Sequence, residues 1–298
     1  MRHAMLTACI AAFVVIASAS SAQAAPPTAD ELSLRILDSE ALYTLTHGLK
    51  PVSEGFWRAR FPEGERTSPE VDAVRAVLDT LPLGPDLEAG VYVFATPFGG
   101  KWSASAFVVH KPSLQALIQR RSDVFEPLGV TSVTPPQKVM EAIDRAGPSV
   151  RWRGFGLVFG YPEYAVEFFV AAGEKQAETG KFVERDFLNL PTFASERGRF
   201  VYAVPKGHVE REEDRDLKTK AEAIFHTYQP WRSAFVGDGK PGAVALLRCW
   251  LAAPVACPPF YQPPPFTIQI LTNGATFQGC WSPCHPSGPL VRHRCRVR

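Results

Sequence analysis

The stretch Arg151–Glu174, RWRGFGLVFGYPEYAVEFFVAAGE, decides how the chain is read. Phe155, Leu157, Val158 and Phe159 form a short apolar run interrupted by glycines. A run of that length bounded by turn residues predicts a strand buried on both faces. Pro162 then stands where a helix can begin, because its missing N–H would have no partner at a first helical position. Ala165, Phe168, Phe169 and Ala172 follow at i, i+3, i+4 and i+7, which puts them on one helical face turned to the core. A buried strand running into an amphipathic helix predicts an α+β fold: a mixed sheet of short strands flanked by amphipathic helices.

The same helix carries Glu163, Glu167 and Glu174 away from that face. Glu163 and Glu167 are one turn apart, and like charges at that spacing repel by about 0.2–0.5 kcal/mol. They are the candidate catalytic residues, as a carboxylate pair for proton handling or for a cation. The expected reading is the plainer one, a solvated acidic face neutralised by Arg151 or Arg153. Gly154, Gly156 and Gly160 come close to a dinucleotide-binding fingerprint. That fingerprint needs its glycines after the strand, where a helix N-terminus meets the pyrophosphate. Here the apolar run lies between them, so close backbone packing is the expectation.

On the N-terminal side, Met1–Ala24 has the form of a secretory signal. Arg2 and His3 precede an apolar stretch from Ala4 to Ala17, and Ala22-Gln23-Ala24 is an A-x-A cleavage site. Export to the periplasm or beyond is the expectation, with no membrane span after cleavage. Thr28 and Glu31 form a capping box that opens the first helix, which Gly48 ends. The next segment is expected to be a loop, and His47, Lys50, Ser53 and Glu54 are its candidate binding residues, because scaffolded loops often hold function. An ordinary turn is the competing reading. Ser68-Pro69 begins a second helix with Val71, Val74, Leu78 and Leu81 inward. Val91–Ala95 and Ser103–Val109 form a hairpin around Gly99-Gly100. Helices follow from Pro112 and from Pro136 to Ala146.

On the C-terminal side, Arg199–Val204 reads as a strand and Glu210–Gln229 as a long helix stopped by Pro230. His208 and Glu212 are four apart but match no established ligand pair. No acidic residue occurs after Asp238, and five of the six cysteines lie there with clustered prolines. Disulfides, a zinc site at Cys280, Cys284, His293 and Cys295, and a basic arm compete for this tail. The favoured expectation is an unstructured or out-of-frame extension over 239–298, after a single domain over 25–238.

The 298 residues carry a net charge of +2, and the tail lacks the lysine and arginine density and the aromatic interleaving of a nucleic-acid-binding arm, so no nucleic acid is expected as a partner. No nucleophile elbow, Walker loop or paired C-x₂-C occurs. No metal and no cofactor is expected. The sequence leads to an exported, non-catalytic protein that binds a ligand or protein partner, with a hydrolase using paired carboxylates as the alternative.

Overall fold

The computed structural model describes residues 25–46 and 48–252, with the backbone alone at 195–199. The fold is α+β, and its strands form two antiparallel sheets in place of a single mixed one. The first sheet has the order β1-β3-β2, from β1 (Val52–Pro62), β2 (Leu87–Val93) and β3 (Lys101–His110). The second is a hairpin of β4 (Arg185–Thr192) and β5 (Ser195–Pro205).

The central strand β3 is buried continuously from Ala104 to Val109, so both faces of this sheet are covered. Along one face Val52, Tyr92, Phe107 and Val109 pack under four helices. These are α4 (Lys111–Arg120), α6 (Pro136–Arg145), α7 (Pro148–Val158) and α8 (Glu163–Thr179); a short α5 (Ser122–Phe125) joins the first two. α1 (Ala29–Asp38) and α3 (Pro69–Leu78) pack against the sheet and each other, and α2 (Leu42–Leu45) lies against β3. The capping box of Thr28 and Glu31 is formed, and Val71, Val74, Leu78 and Leu81 are buried as their spacing predicts.

The central stretch overturns one expectation. Residues 155–159 are not a strand; Pro148–Val158 is a helix, with Pro148 in its first turn. A short apolar run cannot distinguish a buried strand from a buried helix. Two glycines then lower the local helix propensity by about 1 kcal/mol each relative to alanine. Packing overrides that preference. A Cβ added at Gly154 would lie 2.9 Å from Ile143 Cγ2 of α6, and one at Gly156 would lie 2.8 Å from Val166 Cγ2 of α8. The glycines thus let three helices approach closely. The inward face of α8 is accordingly Ala165, Val166, Val170 and Ala172, while Phe169 turns outward at 38% exposure.

β1 replaces much of the expected loop after Gly48. Its register shifts between Glu54 and Arg58, and this bulge hides the alternation that resumes over Trp57–Pro62. The long helix α9 (Glu212–Phe235) runs through Pro230. One lost backbone bond is offset there by the packed flanks: Tyr228 and Phe235 are buried, and Arg232 grips Asp38 of α1 through two bonds of 2.7 and 2.9 Å.

The expected boundary at 239 also moves. α10 (Ala243–Leu251) buries Ala243, Leu246, Leu247 and Cys249 and packs on α1. Val244 N donates to Asp30 Oδ1 at 2.8 Å, and Trp250 lies edge-on to Tyr228 and Trp231. The proposed zinc ligands and the rest of the tail lie outside the described residues, as do His47 and the signal segment.

Candidate functional site

Three of the four loop candidates come together, inside the protein. Lys50 lies between α2 and β1 with its side chain fully enclosed, and its Nζ is 2.6 Å from Glu40 Oε2. The ammonium stands 4.1 Å from the Phe200 ring centre and 5.5 Å from that of Tyr161, so ring quadrupoles supplement the ion pair. Burial holds the amine below its ordinary value, while Glu40 and Glu54 act in the opposite direction. Gly160 completes the enclosure. Its φ of +72° suits glycine, and a Cβ there would lie 3.2 Å from Lys50 Cα. Ser53 is buried, sharing a 2.8 Å hydrogen bond with Thr44 and donating to Glu40 O at 3.2 Å. Glu54 accepts from the Tyr92 hydroxyl. Burial pushes its carboxyl up despite that bond. Their partners are Glu40, Thr44 and Tyr92; Lys50 and Ser53 are buried and Glu54 is partly buried.

The carboxylates of α8 are separated by their partners. Glu163 pairs with Arg121 at 3.1 Å. Glu167 accepts two bonds of 2.8 Å from Arg153 of α7, one of the two arginines considered for it. That bidentate contact holds Glu167 below the usual carboxylate range. Both side chains are about half exposed. Each carboxylate is thus occupied by an arginine at the surface, and Glu167 is held as the carboxylate by that contact.

A third cluster escapes sequence reasoning. His208 pairs not with Glu212 but with Asp214, Nε2 to Oδ2 at 2.8 Å. Asp214 also accepts from the Tyr164 and Tyr202 hydroxyls and from Arg211 N at the start of α9. Burial would raise this carboxyl, but the four donors outweigh it and hold it at about 2. The arrangement ties α8, β5 and α9 together.

The open site lies where α7, α8 and β4 meet. Trp152, Phe169, Gly173, Gln176, Ala177 and Arg185 line a groove of about 350 Å³. A Cβ at Gly173 would fall 2.3 Å from the Trp152 ring, so the glycine lets the indole lie against α8. Trp152 meets Phe169 edge-on with centres 5.9 Å apart. The Arg185 guanidinium carbon is 4.6 Å from the Phe182 ring centre and 5.5 Å from that of Phe169. Its Nε donates to Val183 O at 3.1 Å. Among the described residues no carboxylate lies within 4 Å of it. Phe187, two residues along β4 and on the same face, is 57% exposed, and Phe182 is 64% exposed. The signal in the sequence is the pair Arg185 and Phe187 on one face of β4, but the groove exists only once α7 is a helix.

Among the described residues no three His, Cys, Asp or Glu side chains converge to hold a metal ion, and no helix is long and apolar enough to cross a membrane. Comparison with protein-family models, with curated proteins and with solved structures returns no match.

Proposed function

We propose that this chain is an exported, non-catalytic binding protein whose ligand or partner sits in the groove between α7, α8 and β4. The observation that carries this reading is the groove itself: a concave aromatic surface containing an arginine with no acidic partner. Apolar concavity with a few unsatisfied polar groups is the usual character of a small-molecule site. Clustered exposed aromatics on a folded surface have an energetic cost unless something covers them. Export rests on the segment Met1–Ala24, and N-terminal sequencing of the mature protein should begin at Ala25. Binding is tested by titrating the isotope-labelled chain with a mixture of small aromatic and aliphatic compounds and following backbone amides. Shifts gathered at Gly173, Ala177 and Arg185 support the reading; shifts absent there, or scattered over the surface, overturn it.

A further inference from the structure

We infer that the groove takes a small molecule with a flat aromatic body and an anionic head, and that Arg185 anchors the head; this rests on the groove being the binding site. The walls set the body. Trp152 and Phe169 line the groove edge to face with centres 5.9 Å apart, and Phe169 stands 5.5 Å from the guanidinium, a geometry in which a further flat ring can stack or meet an edge. Trp152 rests on Gly173, where no side chain intrudes.

Arg185 sets the head. It lies over the Phe182 and Phe169 rings, so the stem and guanidinium face are against apolar surface. The one hydrogen bond it makes uses Nε, to Val183 O. Its two terminal nitrogens have no partner among the described residues. A guanidinium stacked on a ring keeps its remaining N–H groups in its own plane, arranged as a fork that matches two oxygens of a carboxylate or phosphate. Other arginines of the same helical layer are occupied: Arg153 by Glu167 and Arg121 by Asp123 and Glu163. The nearby acids do not reach Arg185 either, since Asp186 is held by Lys206 at 2.8 Å. Arg185 is therefore a cation with no paired carboxylate among the described residues, at a position beside two rings.

The test uses the full chain and three probes sharing a naphthalene body: 2-naphthoate, 2-naphthyl phosphate and neutral 2-naphthamide. Amide shifts at Gly173 and Ala177 and calorimetry give site and affinity. The expected result is that one or both anions bind at least tenfold more tightly than the amide. Arg185→Gln should abolish that preference, and Arg185→Lys should retain part of it, because lysine keeps the charge without the fork. The stronger of the two anions identifies the head as carboxylate or phosphate. Equal binding of all three in the groove overturns the anionic assignment while leaving the groove as a binding site. An anion preference that survives Arg185→Gln overturns the role of Arg185. Absence of all three from the groove removes both the inference and the reading beneath it. Trp152→Leu should weaken all three probes alike, and an unchanged affinity would overturn the aromatic body.

Discussion

Lys50 and Arg185 are both cations set among aromatic rings, and they do opposite things. Lys50 is enclosed by Phe200 and Tyr161, paired with Glu40 and cut off from water. Arg185 lies on Phe182 and Phe169 at the rim of a groove, with no carboxylate paired to it among the described residues. The rings are similar; the counterion and the access differ. A buried cation with its own carboxylate is committed to the fold, because desolvation makes the pair interdependent. A half-buried cation without one keeps its electrostatic capacity for something from outside.

The sharpest way to break the comparison is at Lys50. Lys50→Met should lower stability by about 3–5 kcal/mol in urea unfolding, because it leaves Glu40 facing apolar surface with no partner. Combining it with Glu40→Gln should recover most of that loss. A loss under about 1 kcal/mol in the single variant would show that Lys50 reaches water after all.

The wall of the enclosure comes next. Gly160→Ala would put a Cβ against Lys50 Cα and force a left-handed conformation on alanine. The expected cost is about 1–3 kcal/mol. Gly64→Ala, with open space around its Cβ, is the control that should change little.

Asp214 extends the enclosed class to an acid. Its carboxyl is held at about 2 against an ordinary value of 3.8. A depressed carboxyl stabilises the fold fully above its unfolded value, and that contribution fades as pH falls through the folded one. Wild type should therefore exceed Asp214→Asn by about 1–2 kcal/mol at pH 6, with the gap closing between pH 4 and 2. A gap independent of pH would show that the carboxylate charge is not what the four donors recognise.

The smallest effects belong to the open side. Arg185→Gln and Glu167→Gln should each change stability by no more than about 0.5 kcal/mol, since one has no acidic partner and the other loses only a surface pair. A loss above 1 kcal/mol at Arg185 would move it into the class of Lys50.

The sequence made local features plain where one element signals its own ends. The Thr28–Glu31 cap, the helix α3 over Pro69–Leu78 and the hairpin of β2 and β3 follow from nearest neighbours in the chain. It misled where long-range packing decides. Glycines at 154 and 156 look like strand punctuation until Ile143 and Val166 are placed against them. β1 was concealed by its bulge, and β4 by a weak pattern after Gly180. The candidate site divides in the same way. Lys50, Ser53 and Glu54 stood out as polar residues near a turn, but only the fold shows Lys50 and Ser53 buried and Glu54 partly so. Arg185 carried no motif, and its role depends on Phe169 facing out, where helical spacing alone turned it in.

The contacts of α1 with α9 and α10 bear on the order in which the chain can fold. Asp30 is bonded to Val244 and Asp38 to Tyr228 and Arg232, so the first helix finds its partners roughly 190 to 214 residues later. Contacts of such sequence separation form late and slow the search for the native state. A nascent or translocating chain, released from its N-terminus onward, would hold its opening helix unlatched until almost the whole body has emerged. A chain cut before 243 would keep the contacts of Asp38 with Tyr228 and Arg232 but lose the bond from Val244 to Asp30 and the packing of α10 on the first helix.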